Sequence, residues 1–262
     1  MQRLLLALAC AAALLVQLEA ASGGIPAGVR NTDGSAVGNG VSIASTTATT
    51  NMNTGTLAIW ARPDNVSNTA RDFVSKNLAS GGWEMFKRAV DGTSLNFTRY
   101  RNGAGGTNQT IVSPTGVLKA GIPTFVAVSW DTTTSANMKM WLGTLDTPAA
   151  LLASTNTLGS GTALNSDSAT NIIIGNAGTT AGGWPGVQWW FGLSAQVNYT
   201  TDEIRWIQFH PGAFRACIGA WDLSRVPAVN ACGNGSNGSI IGTVPRMSSE
   251  NLPRVGLVGP GA

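Results

Sequence analysis

The stretch Ile122–Gly143, IPTFVAVSWDTTTSANMKMWLG, decides how the rest of the chain is read. From Thr124 to Trp130 the residues alternate, with Phe125, Ala127 and Ser129 on one side and Val126, Val128 and Trp130 on the other. That period of two belongs to a β-strand buried on one or both faces, and a helix would not keep it. Asp131 to Asn137 is a polar turn. Met138–Leu142 then resumes as a strand in which Met138, Met140 and Leu142 alternate with Lys139 and Trp141. An antiparallel hairpin at the centre of a β-sandwich is expected.

The same grammar extends outward on both sides. Gly55–Pro63, GTLAIWARP, sets Leu57, Ile59 and Ala61 against Ala58 and Trp60, and Pro63 ends it. Strands are expected at Arg71–Lys76, Gly82–Arg88, Ser94–Arg101 and Thr110–Ser113, with Asp91-Gly92 as a hairpin turn. Asn171–Gly175, NIIIG, reads as a strand at a sheet centre. Val187–Tyr199 follows as a strand in which Trp189 and Trp190 should point to opposite faces. Pro148–Asp167 is expected to be loop with one edge strand, Ala213–Leu223 offers a last strand, and the chain beyond it reads as loop. One helix stands out, Thr200–Phe209, with Thr200 or Thr201 as cap, Asp202 and Glu203 at its start, and Ile204, Ile207 and Gln208 at helical spacing.

Composition fits this pattern. In 262 residues, 43% are apolar and 11% charged, enough for one substantial core, and 33 glycines suit short strands joined by tight turns. A net charge of +3 is spread as single Lys and Arg residues, without the basic stripe that phosphate binding needs, so nucleic acid is not an expected partner. Met1–Ala20 has Arg3, an apolar run from Leu4 to Val16 and a small residue at Ala20, as a secretory signal does. That run is shorter than the ~20 residues of a membrane span, so no span is expected. Retention as an apolar anchor in an assembly is the other reading. The expected division is a signal-like segment over 1–20, a Gly/Ser/Thr-rich arm with a first strand at Gly40–Ala44 over 21–53, the sandwich over 54–223 and a Gly-rich tail over 224–262. Cys217 and Cys232, closing a loop of about 15 residues, suggest a disulfide worth ~3 kcal/mol in an exported domain.

The order TLAIWARP, FVSKN, GWEMF, SLNF, PTFVAVSWD with MKMWLG, NIIIGN and TTDEIRWI resembles the laminin-G-like, concanavalin A-like jelly-roll domains of phage and bacterial surface proteins, from about Gly40 to Phe209. The resemblance implies an all-β, antiparallel two-sheet sandwich with one short helix near its C-terminal end. This chain departs from the pattern by inserting Arg225–Cys232 and by carrying Gly192–Val197 where an Asp-Asp-Val core is usual.

Chemistry on such a sandwich is read from its carboxylates and aromatics. Glucanases of similar fold carry two Glu on one strand face, but Glu19, Glu84, Glu203 and Glu250 are not so paired. His210, the single histidine, precedes Pro211 at a helix end, and no Gly-x-Ser-x-Gly elbow is present. An enzyme is therefore not expected. Asp64, Asp72, Asp91, Asp131 and Asp167 are single residues beside turns, so no metal or cofactor is expected; calcium, which such folds commonly tolerate, stays open without residues here to support it. Carbohydrate binding needs exposed aromatic platforms and planar polar groups. Trp83 and Trp184, flanked by Gly, are the candidate platforms, with Asn176, Arg99 and Arg101 as hydrogen-bond partners, and core packing is the other role open to both indoles. The expected function is a non-catalytic, secreted module binding a glycan or a surface protein through loops at the sandwich rim. The alternative is a structural subunit of an extracellular assembly, such as a virion decoration or fibre protein, that binds its own particle partners.

Overall fold

The computed structural model describes residues 29–31, 40–67, 69–78, 81–88, 90–100, 107–160, 167–176, 183–210, 212–223, 227–232 and 236–241. The signal-like segment and Arg101 lie outside the described residues.

The decisive hairpin forms as β8 (Thr124–Asp131) and β9 (Lys139–Thr144), paired antiparallel from Thr124 opposite Thr144 to Ser129 opposite Lys139. Asp131 closes its turn by accepting from the Thr133 amide at 2.8 Å and from Asn137 Nδ2 at 2.7 Å. Every residue of β8 is buried, because both faces of its sheet are covered. Val126, Val128 and Trp130 belong to the core between the sheets, while Phe125 and Ala127 belong to a second apolar layer on the outer side.

Around this hairpin the first sheet runs β10 (Ala150–Leu151), β9, β8, β3 (Thr54–Pro63), β13 (Gly186–Ser194), β14 (Cys217–Asp222) and β15 (Val229–Asn230), and β1 (Val29–Asn31) pairs with the start of β13. The second sheet runs β11 (Thr155–Thr157), β7 (Gln109–Val112), β6 (Leu95–Arg99), β5 (Gly81–Lys87), β4 (Arg71–Leu78), β12 (Ile172–Ile174), β2 (Gly40–Ile43) and β16 (Gly238–Ile241). Every strand pair in both sheets is antiparallel. Among the described residues, the all-β two-sheet sandwich with one short α-helix is thus the observed architecture.

Strand β3 shows how one alternating run serves both layers. Leu57, Ile59 and Ala61 face the second sheet, and Ala58 and Trp60 face outward under the helix. The Asp91-Gly92 turn joins β5 to β6 as expected. Gly92 sits at φ +64 with Val66 O 2.1 Å from where a Cβ would lie, so only glycine fits.

The one α-helix among the described residues, α1 (Thr201–Phe209), begins with Thr200 and Glu203 in a reciprocal capping box. It buries Ile204, Ile207 and Gln208 on the outer face of the first sheet. Gln208 clamps it there, donating to Thr144 O at 2.7 Å and Thr147 O at 3.2 Å and accepting from the Ala149 amide at 2.7 Å. Gly143 makes room for that clamp, since a Cβ would stand 2.6 Å from Gln208 Nε2.

Trp189 and Trp190 do not face opposite ways: the register of β13 against β3 slips between Gln188 and Trp190, and both indoles lie in the outer apolar layer. A bulge adds one residue to the strand and breaks the period of two at that point. The chain after Leu223 is not all loop, because β15 extends the first sheet and β16 flanks β2. The segment Pro148–Asp167 supplies two edge strands, β10 on the first sheet and β11 on the second. The disulfide between Cys217 and Cys232 is present, with Cα atoms 6.0 Å apart.

Candidate functional site

The residues expected at a rim platform are mostly inside the sandwich. Trp83 is fully buried, with its ring 5.9 Å from that of Trp130 and 6.4 Å from that of Phe97. Trp184 is fully buried against Phe73, ring centroids 3.7 Å apart. Both indoles fill the space between the sheets, where their large apolar area is worth most, and neither is a platform. Asn176 is also buried, and its carbonyl accepts from Ser75 Oγ at 3.3 Å. Arg99 lies in the cross-strand row Lys76, Trp83, Arg99, Gln109 on the inner face of the second sheet. Its Nη1 donates to Gly82 O at 2.6 Å and its Nε to Met52 O at 3.2 Å, so it acts as a buried strut.

The exposed aromatic is elsewhere. Of the nine tryptophans, Trp206 alone is exposed, at 58%, and the other eight are buried. Its position follows from the helix. At about 100° per residue, Trp206 stands roughly 200° around α1 from Ile204, on the arc opposite the residues that pack on the sheet. His210, one turn on, stacks on it with ring centroids 3.6 Å apart and planes 12° apart, and His210 Nδ1 lies 3.0 Å from Trp206 O. Asp202, one turn back, pairs with Arg205 at 2.8 Å, and Arg205 Nε donates to Ala149 O at 3.0 Å. A flat aromatic pair, a guanidinium and a carboxylate therefore share the exposed side of one rigid helix. The helical spacing already noted for Ile204, Ile207 and Gln208 was the signal that could have found Trp206, because it turns residue 206 outward.

A second polar feature lies at the rim, where Ser45, Thr46, Thr47, Thr50 and Ser168 line an open depression of about 560 Å³. Beneath it Lys76 and Asp167 form a wholly buried ion pair, Nζ to Oδ1 3.4 Å. Burial pulls the Lys76 ammonium below its ordinary value, and Arg99 adds to this, while Asp167 opposes both. Among the described residues no group of three or more His, Cys, Asp and Glu side chains is placed to hold a metal ion. No helix among them is long and apolar enough to cross a membrane.

No family model matches the chain, and no curated protein does. Solved structures do match it. A structure described as "a putative carbohydrate binding protein from Bacteroides ovatus ATCC 8483" aligns with 89% of this chain at 10% identity and a TM-score of 0.56, and the chain spans 63% of its length. Domains LG4-5 of the mouse laminin alpha1 chain align with 70% of the chain and 45% of their own length, at 11% identity and TM-score 0.44. The CBM40 of Ruminococcus gnavus IT-sialidase, bound to alpha2,3 sialyllactose, aligns with 71% of the chain and 95% of its own length, at 12% identity and TM-score 0.42. At such identity the first of these shows a shared sandwich fold, and the other two add nothing to that.

Proposed function

We propose that this chain is a non-catalytic extracellular recognition module that binds a glycan on the exposed side of α1. The observation that carries the reading is the Trp206–His210 pair beside Arg205 and Asp202. A solvent-facing indole on a helix whose inner face is already filled leaves apolar area in water. Stacking a sugar face on the ring would remove that cost, and the neighbouring guanidinium and carboxylate can hydrogen-bond its hydroxyls. The Cys217–Cys232 bridge supports an oxidising, extracellular setting. The Bacteroides ovatus structure of the same fold, described as a carbohydrate binder, agrees with this class of ligand.

A glycan array followed by titration calorimetry tests the proposal. Wild type should retain at least one glycan, and Trp206→Ala should weaken it by roughly tenfold or more, about 1.4 kcal/mol, with an unchanged melting temperature. Binding that is indifferent to Trp206→Ala, or no glycan retained at all, would refute the site. In the second case, co-purification in a particle would favour the assembly-subunit reading, for which exposed Leu151 and Val229 are further apolar contacts.

A further inference from the structure

Lys76 ends inside a shell of oxygens. Its Nζ lies 2.6 Å from Asp167 O, 2.7 Å from Thr170 O, 3.1 Å from Ser45 Oγ and 3.4 Å from Asp167 Oδ1, and its side chain has no exposure. The set comprises two main-chain carbonyls, one carboxylate and one hydroxyl. Hard cations are held by such sets, and the lysine ammonium is here the cation they enclose. Two further oxygens of the same residues, Asp167 Oδ2 and Thr170 Oγ1, are buried without a hydrogen-bond partner. An unpaired buried carboxylate oxygen is costly, and a cation that takes both oxygens of the carboxylate would satisfy it.

The supporting shell is also built. The Asn51 amide donates to Asp167 Oδ1 at 2.7 Å, and the Asp167 amide donates back to Asn51 Oδ1 at 3.1 Å. Asn51 holds the left-handed φ of 51° that this exchange uses. Ser45, whose hydroxyl accepts from Lys76 Nζ, and Ser168, next to Asp167, also line the open rim depression, so the site adjoins solvent-facing residues.

The geometry points to a cation-binding site at the sandwich rim that the chain fills with its own ammonium, and that takes calcium once Lys76 is removed. Asp167 would bind calcium through both carboxylate oxygens, with Asp167 O, Thr170 O and Ser45 Oγ completing the protein ligands. In the native chain the Lys76 ammonium ties together the turn after β2, the strand β4 and the segment before β12, and those same segments carry the hydroxyls of the depression. The rim loops are therefore set without a divalent ion.

Thermal melts of the full chain test this. Wild type should melt at one temperature in calcium and in EDTA. Lys76→Ala should melt roughly 10 °C lower, and about 10 mM calcium should restore roughly 3 °C or more, as a site with a dissociation constant on the order of 1 mM would. Magnesium, which resists a shell of protein carbonyls, should restore much less, and Lys76→Ala/Asp167→Asn should not respond to calcium. Equal shifts with magnesium, an undiminished response in the double variant, no calcium response in Lys76→Ala, or a wild type that loses stability in EDTA would each overturn the inference. Should Lys76→Ala not fold in EDTA, recovery of its fold on dilution from urea into calcium supports the site, and failure in both conditions overturns it.

Discussion

Asp72 shows how a single side chain sets the pH response of this fold. It is buried in β4, and burial pushes its carboxyl well above the ordinary value of 3.8, with Glu84 adding to the rise and Arg71 opposing it. The folded chain therefore keeps a proton that the unfolded chain releases. The stability this contributes is whole below pH 3.8 and is lost as pH rises through the folded value. Asp72→Asn keeps the shape and removes the ionisation, so its melting temperature should exceed that of wild type at pH 8, and the difference should shrink as pH falls toward 4. Melts across that range would rule the account out if the variant were no more stable at pH 8. Trp206 makes the opposite case, since a residue 58% exposed on a helix surface can be lost with little effect on stability. That is what makes it a clean probe of binding.

At the scale of the element, α1 is held by packing more than by its own propensity, since nine residues are too few for an isolated helix. Its capping box fixes where it starts, and Gln208 fixes where it sits by satisfying three main-chain groups of the turn after β9. Gln208→Ala would orphan those groups, at a cost of about 2 kcal/mol, or roughly 4–8 °C in melting temperature for a chain this long. Because α1 carries Trp206, the same variant should also weaken glycan binding, whereas Thr200→Ala should cost about 1 kcal/mol and act on stability alone. A Gln208→Ala protein that melts with wild type would mean that apolar packing of Ile204 and Ile207 is sufficient to seat the helix.

For the whole molecule, the two sheets are joined by a shared interior and by chain crossings. One of these leaves β15 in the first sheet and enters β16 in the second. Cys232 lies on that crossing, and its bond to Cys217 ties it to the first residue of β14. Closing a loop of this length removes unfolded-state entropy worth ~3 kcal/mol. Cys217→Ser/Cys232→Ser, or wild type in reductant, should therefore melt roughly 6–12 °C lower. A melting temperature unmoved by reductant would show that the β16 pairing and the core hold the crossing without the bond.

What the sequence alone determined is what local periodicity and local chemistry can encode. Strict alternation in Gly55–Pro63 and Thr124–Trp130 placed the central strands and their two faces, and Thr200 or Thr201 followed by Asp202 and Glu203 placed the start of the helix to within a residue. The resemblance in motif order led to the same sandwich. Only the tertiary structure decided which side chains the sheets enclose. Glycines beside Trp83 and Trp184 say nothing of Trp130 on the first sheet, which faces Trp83, or of Phe73 on the second, which packs on Trp184, and Arg99 and Lys76 look exposed until carbonyls from distant segments surround them. The bulge at Trp189 and the pairing of β16 with β2 were equally hidden, since both are set by a partner strand far along the chain. Burial is a property of what two distant stretches do together, and a single stretch records only its own half of it.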